Sequence, residues 1–222
     1  FEREWQYGLR EAPTYATYLG DKRFNNRWPD ISQAAIDRRL KHNQDLLDEL
    51  RGFNPEELSS HDKLNLKLFR KQVELDIEEA QFRWYLVPLT QRDGIQDEST
   101  LADTISFDTV KDYEDWIARL NAFPDYMHQT MTLMREGIRT KTIQPRIVME
   151  RVPAQIKQQL VDDSANSLYY KPFRKFPDAI SAAEQERLRT AAKQAIATKV
   201  IPAYQEFQTF FNQEYLPGCH PE

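Results

Sequence analysis

Apolar residues recur every three or four positions along most of this 222-residue chain, and this spacing limits the folds open to it more than any other feature. Leu66, Phe69, Val73 and Ile77 form one such run, and no stretch alternates polar and apolar residues over the length of a strand. A period near 3.6 gathers apolar side chains on one face of an α-helix. The six glycines are few for a turn-rich β fold. The sequence therefore predicts an all-α fold, a multi-helix array.

The carboxyl-terminal third of the chain carries the clearest helix signal. Ser181, followed three residues later by Glu184, is the pattern of a capping box at a helix start. Apolar residues continue to Tyr215, which predicts one long helix from 181 to 215. Pro202 lies inside this helix and lacks a backbone amide, so we expect a kink there.

A second long helix is predicted from about Ser60 to Tyr85, and it has apolar residues on two opposite faces. One face carries the run already described, and the other carries Leu64, Leu68, Leu75 and Phe82. A helix that is apolar on opposite faces is usually covered on both. We therefore predict a central helix packed between others, within a single helical domain that spans residues 1–222.

Composition excludes several classes of function. The 30 basic and 35 acidic side chains alternate along the chain, which disfavours nucleic acid as a partner. No apolar run is long enough for a transmembrane segment. The single cysteine cannot form an internal disulfide. Because the chain opens on Phe1 and not on methionine, we expect that any export signal has been removed.

The histidines lack the spacing of a zinc site. A helical zinc peptidase uses a His-Glu-x-x-His pattern, which places two imidazoles one turn apart with a glutamate to activate water. The four histidines are His42, His61, His128 and His220, and no two of them have this spacing. Cys219 lies beside His220 after a Pro-Gly break, but neighbours in an extended segment point in different directions. We predict no metal ligand, no cofactor and no catalytic residue in this chain.

The segment LYYKPFRKFP is the one stretch that suggests ligand binding. Its rings are Tyr169, Tyr170, Phe173 and Phe176, and they interleave with Lys171, Arg174 and Lys175. The segment is either a linker that packs its rings under the last helix, or a basic aromatic rim for an anionic or peptidic ligand. On the second interpretation, the candidate substrate-binding residues are Tyr169, Tyr170, Lys171 and Arg174.

Three stretches together resemble one known family. They are Leu19-Gly20 with the polar loop that leads to Asp30-x-Ser32, the run YEDWIARLNAFPDYMHQTMTLMREGIRTKTIQPRIV, and LYYKPFRKFPDAISAAEQERLR. They resemble a large bacterial family of unknown function whose members are exported or lipoprotein-like. That family is distantly similar to the mostly helical zinc carboxypeptidases and oligopeptidases. The resemblance covers most of the chain.

The resemblance implies a place for this chain in a longer protein. Full-length members are far longer, and their His-Glu-x-x-His helix lies beyond this region, so zinc would belong to the full-length protein. The chain would then be the amino-terminal helical part of an exported, periplasmic or membrane-anchored protein. It would shape a cleft for a peptide substrate together with a carboxyl-terminal part of the same protein. The alternative is a freestanding helical binding or scaffold module.

The implied cleft carries a further expectation about the last helix. Phe207, Phe210, Phe211 and Tyr215 spread aromatic surface over a wide arc of that helix. One neighbouring helix would ordinarily cover less than this arc. We therefore expect the last helix to be under-packed on part of its apolar surface.

Overall fold

The computed structural model describes residues 1–221, and its regular structure is helical. The α-helices are α1 (Glu2–Glu11), α2 (Pro13–Tyr18), α3 (Gln33–Arg51), α4 (Ser60–Ala80), α5 (Val110–Asn121), α6 (Phe123–Thr140), α7 (Arg146–Met149), α8 (Val152–Gln158), α9 (Ala182–Ala195), α10 (Ile201–Phe210) and α11 (Leu216–Gly218). Within these residues there is no strand, only one isolated bridge between Pro145 and His220. The all-α prediction is confirmed.

The chain divides into two compact units, one of residues 31–86 and one of residues 1–30 with the chain from 87 onward. The prediction of a single domain stays a prediction. No helix in the described part of the chain has the length and hydrophobicity needed to cross a membrane.

The 31–86 unit is built from α3 and α4. Serine side chains cap both helices: Ser32 accepts a hydrogen bond from the amide of Ala35, and Ser59 accepts one from Asp62. Their shared core consists of Leu46, Leu47, Leu50 and Val73, with Leu66, Phe69 and Ile77 partly buried against it. The first apolar stripe of α4 is therefore the one that packs.

The second stripe of α4 requires a correction. Leu64 is 55% exposed, Leu68 is 60% exposed and Phe82 is 54% exposed. The expectation that both faces of this helix would be covered is wrong for the chain as it stands. The periodicity identifies apolar faces, but it carries no information about which of them receives a neighbour.

The larger unit has an aromatic core. Its largest fully buried aromatic side chains are Trp116, Tyr113, Tyr169, Tyr204, Tyr215, Phe123, Phe173, Phe207 and Phe211. Trp116, on α5, donates its indole hydrogen to the carbonyl of Tyr169 at 3.1 Å. Thr109 and Asp112 cap α5 with the reciprocal bonds of a capping box. The cap and the ring contacts together hold the 168–176 segment against α5.

The last helical stretch is continuous from α9 to α11 through two π-helical turns, at Ile196–Val200 and Phe211–Tyr215. Each turn lies just before a proline, Pro202 or Pro217. In a π turn each backbone amide donates to the carbonyl five residues earlier, as the amide of Ile201 does to the carbonyl of Ile196. This wider turn accommodates the hydrogen bond that is missing because a proline has no backbone amide. The predicted distortion at Pro202 is thus a π turn, and the helical stretch runs beyond 215.

The expectation of an under-packed last helix is wrong. Phe207 and Phe211 are fully buried, Tyr215 is fully buried, and Phe210 is only 2% exposed. The reason is that the wide arc faces several elements, since α10 packs against both α6 and α8. An arc too wide for one neighbour is covered by two.

Candidate functional site

A surface groove of about 490 Å³ lies in the larger unit, beside the segment that suggested ligand binding. Its lining residues are Ala102, Asp103, Phe107, Tyr113, Lys171, Pro172, Lys175, Phe176 and Pro177. The volume falls within the range of small-molecule pockets, roughly 300 to 1,000 Å³. We call it the aromatic groove.

Three rings form its apolar wall. Tyr113 stacks on Phe176 with ring centroids 4.5 Å apart, and Phe107 lies 5.0 Å from Tyr113. Tyr113 is on the first turn of α5, which the capping box holds in place. Burial raises the pKa of the Tyr113 hydroxyl, so this ring stays neutral at ordinary pH. The wall is therefore apolar and fixed by the packing of the core.

The charges of the groove are unequal. Lys171 pairs with Asp103, and both are on its rim. Lys175 is exposed and has no ion pair with any residue that the structure describes. With two ammonium groups and one carboxylate on its lining, the groove carries a net positive charge.

The four residues predicted to bind substrate occupy different environments. Tyr169 is fully buried, and its hydroxyl lies 2.7 Å from that of Tyr204, so it is in the core and not on a rim. Tyr170 is 5% exposed, with the ammonium of Lys193 5.8 Å from its ring centre. Arg174 is exposed but does not line the groove. Lys171 alone of the four lines it, and their role in substrate binding stays a prediction.

Two further lining residues of the groove carried no signal in the sequence. Asp103 ends a 3-10 helix, Ile95–Asp103, and Phe107 follows it. Both are more than 60 residues from Lys171 in sequence. No local sequence pattern predicts that these residues lie close together, because their proximity depends on how the 3-10 helices pack.

A second polar feature of the larger unit is the fully buried guanidinium of Arg119 on α5. Its Nε donates to the carbonyl of Arg27 at 3.1 Å, and its Nη2 donates to the carbonyl of Phe24 at 3.0 Å. Trp28 donates back to the carbonyl of Arg119 at 2.8 Å. Burial lowers the pKa of Arg119 to about 10, so it stays charged at neutral pH. Arg119 thus binds the 24–28 segment to α5.

Near this guanidinium lies a carboxyl group with a strongly altered pKa. Glu98 accepts a hydrogen bond from the hydroxyl of Tyr126 at 3.0 Å. Burial, and to a lesser extent the neighbouring Asp93 and Asp97, raise the pKa of Glu98, while the hydrogen bond from Tyr126 and the charge of Arg119 lower it, and the resulting pKa is about 7. Glu98 also lines a small polar pocket of about 180 Å³ with Asp93 and Asp97. This carboxyl group is therefore the one that titrates near neutral pH.

The residue types that bind metals are scattered. His128 pairs with Glu206 at 2.9 Å, and His61 lies 3.1 Å from the amide of Asn65. In residues 1–221 no three histidine, cysteine, aspartate or glutamate side chains are arranged to hold a metal ion.

The Cys219-His220 pair is held apart by its surroundings. The thiol of Cys219 is buried and donates to the carbonyl of Tyr215 at 3.3 Å, while the imidazole of His220 lies 3.3 Å from the carbonyl of Lys141. Burial raises the pKa of the Cys219 thiol to about 11. An activated nucleophile needs the opposite shift.

These features define an all-helical chain with a buried aromatic core and an open, positively charged groove. The chain belongs to the family described as "Bacterial protein of unknown function (DUF885)", whose model matches residues 13–222. This confirms the resemblance to a bacterial family of unknown function. No curated protein matches the chain.

The fold is also found among solved structures. One of them is described as "the putative lipoprotein from Colwellia psychrerythraea", and it is similar over 96% of this chain with a TM-score of 0.83 and 15% identity. The chain spans 40% of the length of that protein. At this level of identity the likeness concerns the fold.

Proposed function

We propose that this chain is the amino-terminal helical part of a longer exported bacterial protein, in which it shapes one side of a substrate cleft and supplies no catalytic group. One observation carries the proposal: a protein with the same fold continues well beyond the shared region, since the chain matches only 40% of it. The lipoprotein description of that neighbour supports export and a lipid anchor.

The exposed stripe of α4 supports the same proposal. Large apolar side chains recur on one face of this helix at Leu64, Leu68 and Leu75, all of them exposed. Contiguous exposed apolar surface on a soluble protein usually marks a contact. We assign this contact to the remainder of the same polypeptide, because the fold neighbour shows that such a remainder exists in a related architecture.

The chemistry belongs to that remainder. The resemblance to helical zinc carboxypeptidases and oligopeptidases points to a metallopeptidase-like hydrolase with a peptide substrate. The described histidines, aspartates, glutamates and Cys219 form no zinc site. A preparation of the longer protein should hydrolyse peptides and lose this activity on chelation, and zinc should restore it. Activity in the 222-residue chain alone would contradict the assignment.

Thiol labelling tests the contact separately from the activity. Leu68→Cys places a reactive thiol on the exposed stripe, and the native Cys219 stays silent because it is buried with a pKa of about 11. Maleimide should label Leu68→Cys rapidly in the 222-residue chain and about tenfold or more slowly in the longer protein, because a docked surface must open first. Asp48→Cys, on an exposed position of α3, is the matched control and should label equally in both.

Equal labelling of Leu68→Cys in the two proteins would favour the alternative, a freestanding helical binding or scaffold module. That outcome would leave the activity measurement unaffected. The two experiments therefore test the contact and the chemistry separately.

A further inference from the structure

We propose that the aromatic groove binds an apolar or aromatic group that bears a single carboxylate, with Lys175 as the cation that receives it. This site lies wholly within the larger unit, so the proposal does not depend on whether the chain continues into a longer protein.

The walls of the groove select the apolar part of the ligand. Phe107 and Phe176 line the groove with Pro172 and Pro177, and the buried ring of Tyr113 packs behind them, tilted against Phe107 and stacked on Phe176. A lining of aromatic and proline rings favours a flat or branched apolar group. A volume of about 490 Å³ accommodates one amino-acid side chain with its backbone or a small aromatic acid.

The charges select one carboxylate. Lys175 has no ion pair with any described residue, and its flexible stem lets the ammonium reach an anion in the groove. Lys171 is already paired with Asp103. A dianion such as a phosphate ester would meet the Asp103 carboxylate with its second charge, whereas a monoanion can stay near Lys175. The groove is therefore better suited to a carboxylate than to a phosphate.

The direct test is a titration of the 222-residue chain with N-acetyl-L-phenylalanine, followed by NMR. N-acetyl-L-phenylalaninamide has the same shape without the charge and serves as the matched ligand. We expect the acid to bind about fivefold more tightly than the amide, the effect of one exposed ion pair. The amide signals that shift should include those of Ala102 and Phe176, which line the groove.

Three variants test which lysine binds the carboxylate of the ligand. Lys175→Gln should remove the preference for the acid over the amide. Asp103→Asn should strengthen binding of the acid about two- to fivefold, because it releases Lys171 from its carboxylate partner. Lys199→Gln changes an exposed lysine that does not line the groove, and it should leave both ligands unaffected. Circular dichroism of each variant checks that the fold is retained.

Two outcomes would overturn the proposal. One is equal affinity for the acid and the amide, or no binding of either. The other is an acid preference that survives Lys175→Gln. A further titration with alanyl-alanyl-phenylalanine identifies the source of the carboxylate: tighter binding than the single residue indicates a peptide terminus, and weaker binding indicates a free acid. Both of these results support a carboxylate site.

Discussion

The α10 helix and the α4 helix both carry several large apolar side chains, but they bury them to different degrees. On α10, Phe207 is fully buried and Phe210 is 2% exposed, whereas on α4, Leu64 is 55% exposed and Leu68 is 60% exposed. The first helix lies within a core with neighbours on several sides. The second packs its other stripe on α3. Apolar content alone therefore does not say which surface a helix will bury.

The comparison also bears on the role of the exposed apolar face of α4. A soluble chain gains about 25 cal/mol for each Å² of apolar surface that it removes from water, so a leucine stripe left exposed forgoes that stabilisation. A surface of this kind is easier to explain as a contact than as an ordinary helix face. The following predictions test how sharply the two regions differ, beginning with the largest expected effect.

Truncation of a buried ring should cost far more than truncation of an exposed one. Phe207→Ala removes a fully buried side chain and should lower the free energy of unfolding by about 3–5 kcal/mol. Phe82→Ala makes the same chemical change at a position that is 54% exposed and should cost less than about 1 kcal/mol. Urea denaturation followed by circular dichroism measures both. Similar losses of unfolding free energy in the two variants would contradict the distinction between a buried and an exposed apolar surface.

In the larger unit, we expect a buried polar residue to contribute about as much to the free energy of unfolding as a buried aromatic side chain. Arg119→Met keeps the volume but leaves the carbonyl of Arg27 without the guanidinium donor and the carbonyl of Phe24 with only the amide of Arg27. We expect a loss of about 3 kcal/mol in urea denaturation. Arg174→Met, at an exposed arginine, should change stability by less than about 0.5 kcal/mol. A neutral Arg119→Met would show that the bonds of this guanidinium contribute little.

The buried carboxyl group should make the stability of the larger unit depend on pH. The pKa of Glu98 rises from 4.5 to about 7 on folding, so the folded chain holds this proton more tightly than the unfolded chain. Ionisation of Glu98 therefore lowers the stability of the fold. This loss is absent well below pH 4.5, grows as the pH rises, and is complete above about pH 7, where it amounts to roughly 3 kcal/mol.

Glu98→Gln keeps the shape and removes this titration. The variant should match the wild type near pH 4 and exceed its stability at pH 8, as thermal unfolding across that range would show. A constant difference between Glu98→Gln and wild type at every pH would contradict the assignment.

Polar substitution on the α4 stripe should have the smallest effect in this chain. Leu68→Gln changes a side chain that is 60% exposed and should alter stability by less than about 0.5 kcal/mol. In the longer protein the same change should cost clearly more, because a docked face would bury a polar group. Thermal unfolding of both proteins makes the comparison, and equal small effects would argue against a docked face.

Local signals in the chain were sufficient for most of the helices. The capping pattern of Ser181 and Glu184 marks the start of α9, where Ser181 accepts a hydrogen bond from the amide of Glu184, and α4 begins at Ser60 as predicted. Pro202 marked the distortion of the last helix. These features depend on residues within about one helical turn of each other, so they can be read directly from the order of amino acids.

The aromatic groove could be predicted only in part. The interleaved rings and cations of 169–176 pointed to its region, and Lys171 does line it. Tyr169 could not be distinguished from a rim residue, because a buried and an exposed tyrosine look alike in sequence. Asp103 and Phe107 carry no local signal, since they meet Lys175 only through the packing of distant segments.

The order of amino acids by itself determined the helical class, the main helix starts, and the absence of a His-Glu-x-x-His pattern from these residues, because each follows from short-range spacing. Tertiary structure decided that the aromatic arc of α10 is covered while the leucine stripe of α4 is not. It also decided that Lys175 lines a groove without an ion-pair partner among residues 1–221, and that the surroundings of Glu98 raise its pKa to about 7. The physical reason is that burial and pKa depend on which distant segments arrive beside a side chain, and this is a property of the packed molecule.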